Sequence, residues 1–147
     1  MLPATQAPLA SAPLEIGGNT IAVLGTPICH VYPRENAGLQ QEIAHRGLVM
    51  SQVPIWRYSQ QSASINRFFF ALRNATIAAL AEATVIVEAG DKSGTLIQAR
   101  GALKQGKKVL VLGDCFERSE LHWPKELQAL GAVRVNNTSE ILAHLQP

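Results

Sequence analysis

A short polar turn near the middle of the chain holds the residue types best suited to binding an anion. The stretch Asp91-Lys92-Ser93-Gly94-Thr95 combines a lysine, two hydroxyls and a glycine at the start of a predicted helix. Exposed backbone N–H groups and the positive end of the helix dipole favour a phosphate at such a position. The same residues also fit a helix cap, in which a hydroxyl accepts a backbone N–H. The local pattern leaves both interpretations open.

A predicted long helix brings arginine and aromatic residues together. Arg73 and Asn74 lie within it, and Phe68, Phe69 and Phe70 precede them as three consecutive residues that cannot all face one way. An arginine beside an exposed aromatic can bind a phosphate and stack on a base, which is how proteins hold single strands. The alternative is that Phe69 and a neighbour fill the core while Arg73 is solvated or ion-paired.

Other reactive residue types give weaker signals. Glu88 ends a predicted buried strand, where a carboxylate is costly without a partner, so it is a candidate for the pocket or for a structural anchor. Cys115 is open to a nucleophilic or a passive role, and the two cysteines form no CxxC spacing. The four histidines show no ligand spacing, and neither a P-loop nor a GxGxxG pattern occurs, so no metal, cofactor or catalytic group is predicted.

These residues depend on elements that alternate along the chain. Apolar runs rich in Val, Ile and Leu alternate with helix-length segments, which predicts βα units around a parallel sheet. The predicted strands cover residues 20–24, 48–52, 84–88, 108–112 and 133–135. The predicted helices cover residues 35–46, 65–81 and 95–105, with a short helix near Pro124, a last one capped by Thr138 or Ser139, and a long loop over 53–64.

The alternation predicts an α/β, Rossmann-like three-layer fold with a mostly parallel sheet of about five strands. Right-handed crossovers place the strand-to-helix turns on one edge of such a sheet, where these folds bind ligands. The turns after Leu24, Gln52, Glu88 and Leu112 are therefore predicted to share one face.

Length and composition fit one globular domain. The chain has 147 residues, with 47% apolar and 16% charged. We expect residues 1–18, rich in Ala and Pro, to form a flexible lead-in, and residues 19–147 to form the domain. No apolar stretch approaches the roughly 20 residues that cross a bilayer, so a cytoplasmic protein without a membrane partner is expected. A net charge of +2 neither requires nor excludes nucleic-acid binding.

Several segments together resemble the DNA-processing protein A (DprA/Smf) family. Residues 17–26, GGNTIAVLGT, followed by VYP and EN, are similar to the family's GGxTIAVLGTG…YPxEN. Residues 70–80, FALRNATIAAL, are similar to FPxRNRIIAGL, and VEA at 87–89 with SGTLI at 93–97 is similar to VEAxxxSGxLITA. Order and spacing both match, from about residue 17 to about residue 112.

The resemblance implies a Rossmann-like domain that binds single-stranded DNA in a basic pocket, self-associates, and passes the strand to a RecA-type recombinase without catalysis. The family's RN pair falls on Arg73 and Asn74, and its SGxL turn falls on residues 93–95. The predicted phosphate-binding residues are Arg73, Asn74, Lys92, Ser93, Gly94 and Thr95. The predicted ligand pocket comprises Gly25, Thr26, Tyr32, Asn36, Ser51, Glu88 and Gly113.

The chain departs from the family pattern in ways that keep other functions open. The family's second arginine is Ala75 here, its proline is Ala71, and its earlier half with the SGxARGID segment does not occur in this sequence. An open sheet edge is then expected, which a second copy or a separate chain would cover. The alternatives are binding or hydrolysis of a nucleotide-derived small ligand, favoured by Glu88 and the Ser93 turn, and an accessory subunit that completes a partner's sheet.

Overall fold

The computed structural model describes the chain from Gln6 to Leu145, and its side chains from Ser11 onward. The chain divides into two compact units, the first ending at Arg73 and the second beginning at Asn74. This boundary falls inside one helix, α5, which spans Phe68–Leu80. Within residues 6–145, no helix is both long and apolar enough to cross a membrane.

The first unit contains a two-stranded parallel sheet. Strand β1 (Ile21–Leu24) pairs with β2 (Leu48–Ser51) so that Ile21 lies opposite Leu48 and Leu24 lies opposite Ser51. Helix α2 (Ala37–Arg46) connects the two strands, as a βα unit requires, and Gly47 is its C-cap residue. The elements of this unit are α1 (Gln6–Glu15), β1 (Ile21–Leu24), a 3-10 turn (Arg34–Asn36), α2 (Ala37–Arg46), β2 (Leu48–Ser51), α3 (Ile55–Gln60), α4 (Ala63–Asn66) and the first part of α5.

Helix α1 lies within residues 1–18, where the sequence predicts a flexible lead-in. Its Leu14 is buried, and Arg46 of α2 donates to the Leu14 carbonyl at 2.5 Å. Gly17, with φ +76°, follows the helix and donates its N–H to the Leu14 carbonyl, which is the usual way for glycine to end a helix. The burial and the hydrogen bond hold Leu14 in place, and neither is visible in the Ala/Pro composition of the segment. The flexible lead-in over residues 1–18 as a whole stays a prediction.

The second unit contains a three-stranded parallel sheet, with strands β3 (Ala83–Ile86), β4 (Lys108–Leu112) and β5 (Val133–Val135) in that order. Its central strand β4 is the most apolar, with Val109, Leu110 and Val111 almost fully buried. Small residues on α6, Ala99 and Ala102, are completely buried in the core of this unit. Besides the end of α5, the elements are β3 (Ala83–Ile86), α6 (Gly94–Lys104), β4 (Lys108–Leu112), α7 (Asp114–Glu117), α8 (Trp123–Ala129), β5 (Val133–Val135) and α9 (Thr138–Leu145).

The α/β class and the parallel pairing predicted from the sequence are confirmed, whereas the single sheet of about five strands is wrong. The described strands form one sheet of two and one of three. Apolar runs locate strands, but the choice of pairing partner depends on contacts distant in sequence. The predicted loop over 53–64 is also wrong, because α3 and α4 occupy it, and helices of six and four residues are too short to show a period.

The last helix is capped differently from the prediction. Thr138 is its first residue, and the side chain of Asn137 accepts the Glu140 N–H at 2.9 Å. Glu140 in turn accepts from the backbone and side chain of Asn136. An asparagine therefore takes the role assigned to Thr138 or Ser139, which all three residue types can fill.

Cys115 is a core residue of the second unit. Its side chain is 3% exposed, and its thiol donates to the Val87 carbonyl at 3.3 Å. Burial raises the pKa of the Cys115 thiol, an effect that the nearby Arg118 charge partly opposes. The thiol therefore stays protonated at neutral pH, which favours the passive role over the nucleophilic one. Cys29, by contrast, is exposed.

We predict that replacing Gly47 with Ala destabilises the fold by about 2–3 kcal/mol. A Cβ at this position would overlap the carbonyl oxygen of Thr20, which already accepts the Leu48 N–H at 3.1 Å. Two backbone segments would have to separate where the β1–β2 ladder begins. Urea unfolding followed by circular dichroism measures the change. Gly38→Ala is the matched control, because nothing lies within 4 Å of its added Cβ; equal stability of the two variants would contradict the argument.

We predict that one thiol reacts quickly with a chromogenic disulfide reagent in the folded protein and that a second reacts only after unfolding in denaturant. The fast thiol is Cys29, because it is exposed, and the slow one is Cys115, because it is buried and its pKa is raised. A Cys29→Ser variant should lose the fast phase and keep the slow one. Rapid reaction of both thiols without denaturant would contradict the burial of Cys115.

Candidate nucleic-acid interface

A small cavity lies in the first unit where β1 ends. Its volume is about 50 Å³. The turn after β1, the following Tyr-Pro pair and helix α5 all contribute to its wall. The lining residues are Val23, Leu24, Gly25, Thr26, Tyr32, Pro33, Phe70 and Arg73.

Hydrogen bonds fix the turn that forms one wall of the cavity. The hydroxyl of Thr26, a buried residue, donates to the His30 carbonyl at 2.8 Å. The Ser51 hydroxyl, at the end of β2, donates to the Thr26 carbonyl at 2.6 Å and accepts the Val53 N–H at 3.1 Å. Ser51 therefore supports the cavity and does not line it. Both parallel strands hold the turn in place at their carboxyl ends, as expected for this class of sheet.

A close approach between Gly25 and Phe70 sets the second wall. A Cβ added at Gly25 would lie 2.8 Å from Cδ1 of the Phe70 ring, so only glycine lets the ring pack here. The ring also meets Tyr32 edge to face, with centroids 6.0 Å apart and planes at 67°. Aromatic pairs favour this arrangement. Tyr32 remains half exposed, so one face of the aromatic pair is open to solvent.

Arg73 places a positive charge against the same aromatic wall. Its guanidinium carbon lies 5.5 Å from the centroid of the Phe70 ring, within the range of a cation–π contact. Arg73 is half-buried, and burial lowers the pKa of its guanidinium, although an arginine remains charged at neutral pH. A cation and two aromatic rings therefore border one cavity.

The Asp91–Thr95 turn belongs to the second unit, and its helix cap is present. The Ser93 hydroxyl accepts the Thr95 N–H at 3.2 Å, and the Ser93 carbonyl accepts the Leu96 N–H. Asn74 donates its side-chain amide to the Gly94 carbonyl at 3.4 Å. Lys92 is exposed. The phosphate seat at Lys92 and residues 93–95, and its union with Arg73 in one site, stay predictions.

The other predicted pocket residues have structural roles of their own. Glu88 is not at a buried strand end: β3 stops at Ile86, and Glu88 is exposed and paired with Arg118 at 2.9 Å. The Gly113 N–H donates to the Val135 carbonyl. Asn36 ends the 3-10 turn and does not appear among the lining residues described above. The prediction placed the strand end two residues too late, because an exposed Val87 continues the apolar run.

Four predicted residues meet at the cavity, namely Gly25, Thr26, Tyr32 and Arg73. Sequence reasoning did not select Phe70, which joins them. The available signal was the spacing: Phe70 and Arg73 are three residues apart, and residues so spaced lie on one face of a helix. Phe69, one residue earlier, is buried, whereas Phe68 is 62% exposed. Among the described residues, no group of three His, Cys, Asp or Glu side chains is placed to hold a metal ion.

Comparison with known proteins places this chain in a family. The family model for DNA recombination-mediator protein A matches residues 8–146. Protein Smf of Synechocystis is 35% identical over 135 residues, which cover 92% of this chain and 32% of that protein. The DNA processing protein DprA of Streptococcus pneumoniae is 36% identical over 135 residues, covering 92% of this chain and 46% of the relative.

Two solved structures are similar as well. Streptococcus pneumoniae DprA superimposes with a TM-score of 0.71 at 29% identity, over 91% of this chain and 45% of that one. Helicobacter pylori DprA, whose structure is described in terms of its single-stranded DNA binding mode, superimposes with a TM-score of 0.68 at 29% identity. The match covers 86% of this chain and 55% of that one. The chain thus spans about a third to a half of the length of these relatives. It belongs to the DNA recombination-mediator protein A (DprA/Smf) family.

Proposed function

We propose that this chain binds single-stranded DNA through the cavity at the end of β1 and serves DNA processing or recombination in the cytoplasm. The observation that carries the proposal is the guanidinium of Arg73 over the ring of Phe70, beside the half-exposed Tyr32. Its family membership and the single-stranded DNA binding mode described for the Helicobacter pylori relative support it.

The site offers a cation for the phosphate of a nucleotide and aromatic rings for its base. Arg73 can donate paired N–H groups to a phosphate, and the hydrogen bonds are strengthened by charge and by partial burial. An unstacked base has an exposed π face that can lie against Tyr32 or the edge of Phe70. A duplex does not expose that face, so the arrangement favours single strands.

The size of the cavity favours a strand lying across the surface over an enclosed small ligand. Pockets that enclose small molecules measure roughly 300–1,000 Å³, and this one measures about 50 Å³. It can therefore take one phosphate or the edge of one base. A nucleotide-derived ligand, the alternative drawn from the sequence, would gain little burial here.

The recombinase hand-over and the self-association implied by the family resemblance are further parts of this proposal. The paired ends of β1 and β2 support self-association, since Ile21 and Leu48 lie opposite each other and are 56% and 51% exposed. DNA binding requires neither the hand-over nor the self-association. If either were disproved, the proposal that the chain binds single-stranded DNA would still stand.

We predict that Arg73→Ala weakens binding to a labelled thymidine oligomer by roughly tenfold or more, because a charge-assisted phosphate contact is lost. The plot of log affinity against log salt should also become shallower by about 0.7, the value for one phosphate contact on a single strand. Fluorescence polarisation measures both quantities.

The matched control is Arg134→Ala. Arg134 also lies over an aromatic ring, that of Phe116 at 5.3 Å, and it forms an ion pair with Glu117 at 2.7 Å; it does not line the cavity. Its loss removes the same charge and should change affinity little. Equal effects of the two variants would show that only net charge matters. No binding of the wild type at low salt, with a raised melting temperature on adding mononucleotides, would favour the small-ligand alternative.

We predict that Phe70→Leu weakens oligomer binding about tenfold while leaving the salt dependence unchanged, because a stacking surface is lost and no phosphate contact is. Leucine keeps most of the volume that packs on Gly25, so the fold should persist, which circular dichroism checks. Phe116→Leu is the control at the second cation–π pair and should bind like the wild type. A change in salt slope for Phe70→Leu would contradict the assigned role.

A further inference from the structure

We propose that Trp56, on helix α3, is a second base-stacking position and that the strand runs from the Arg73 cavity to this side chain. The inference rests on the proposed function and extends it to residues outside the cavity. It assigns stacking to the indole of Trp56 and a phosphate contact to the neighbouring Arg57.

Trp56 is unusually exposed for its residue type. Its side chain is 77% exposed, whereas Trp123, the other tryptophan, is 2% exposed and donates its indole N–H to the Ala89 carbonyl. Tryptophan buries more apolar surface than other residues, so leaving it in water forgoes a large gain. The adjacent Ile55 is also exposed, at 58%. Ile55 and Trp56 thus place two adjacent apolar side chains in water, as surfaces that bind a partner often do.

Helix α3 holds Trp56 on a fixed support. The ring of Tyr58, two residues later, packs against the rings of Phe69 and His30. The distances between ring centroids are 6.2 Å to Phe69 and 5.7 Å to His30. The Tyr58 carbonyl also accepts the side-chain amide of Asn66 at 3.0 Å. Two residues along a helix correspond to a rotation of about 200°, so Tyr58 anchors one face and Trp56 projects from the other.

The same contacts link α3 to the cavity. His30, which meets the Tyr58 ring, also provides the carbonyl that accepts the hydroxyl of Thr26 in the cavity wall. Phe69, the other partner of Tyr58, directly precedes Phe70 in α5. Trp56 and the Phe70 ring thus stand on elements that share their anchoring residues.

Charge identifies the occupant as a polyanion. Residues 47–73 contain three arginines and no lysine, aspartate or glutamate, although the whole chain has 11 acidic residues. Arg57 follows Trp56 and is exposed, and among the described side chains neither Arg57 nor Arg67 forms an ion pair with a carboxylate. A segment that alternates arginines with exposed aromatic residues fits a single strand, whose phosphates and bases alternate in the same way.

The test compares Trp56→Ala and Trp56→Phe with the wild type on thymidine oligomers of about 6 and about 20 nucleotides. We expect Trp56→Ala to weaken binding of the long oligomer roughly tenfold, with less effect on the short one, which can bind at the cavity without extending to Trp56. Trp56→Phe should retain most of the affinity because it keeps an aromatic face. Arg57→Ala should reduce the salt slope by about 0.7, and Trp56→Ala should leave it unchanged.

The outcomes separate this inference from the proposed function. Wild-type affinity of Trp56→Ala for both oligomers, with weakened binding by Arg73→Ala, would overturn the Trp56 assignment and leave the cavity proposal standing. No oligomer binding by the wild type would overturn both. A shift in elution volume for Trp56→Ala at equal protein concentration would mean that a second copy covers Trp56, which also overturns it. Because Trp56 is exposed, the variants should unfold at the wild-type urea midpoint, so a loss of affinity is not a loss of fold.

Discussion

The packing of the Phe70 ring against the backbone of Gly25 is the contact on which the candidate site depends. A Cβ at Gly25 would meet the ring at 2.8 Å, so the turn after β1 and helix α5 can approach this closely only through a glycine. The approach forms the cavity and fixes the ring that Arg73 covers, because Arg73 lies one helical turn beyond Phe70. Removing the contact would separate the turn from the only charged residue that lines the described cavity.

Hydrogen bonds and aromatic contacts connect the turn after β1 to helix α3. Ser51 ties the end of β2 to the Thr26 carbonyl, and the Thr26 hydroxyl holds His30, whose ring meets Tyr58. Each step joins a backbone group to a side chain or one ring to another, so the segment from 53 to 66 is positioned without a long helix. Short helices gain little stability from their own hydrogen bonds, and tertiary contacts of this kind must supply it.

The sequence predicted the elements better than their assembly. Local apolar runs predict the bounds of β4 and β5, and a glycine predicts where α2 stops. Both signals lie within a few neighbouring residues of the sequence. The division into two sheets, the exposure of Glu88 and the burial of Leu14 depend on partners far along the chain, such as Arg118 and Arg46. The candidate site divides in the same way: Arg73 can be selected from its residue type, whereas Phe70 is identified only by its contacts with Gly25 and Tyr32.

The arrangement of charge and aromatic surface also bears on how selective such a site can be. A single phosphate contact at a half-buried arginine gives affinity that falls with salt and carries no sequence information. In the proposed binding mode, stacking on Tyr32, Phe70 and Trp56 would add affinity that tolerates any base but requires it to be unpaired. Residues 47–73 contain no Asp or Glu side chain that would repel the phosphates of a DNA strand. No amide side chain lines the described cavity to recognise a base edge. The physical properties of this surface therefore favour discrimination between single and double strands over discrimination between sequences.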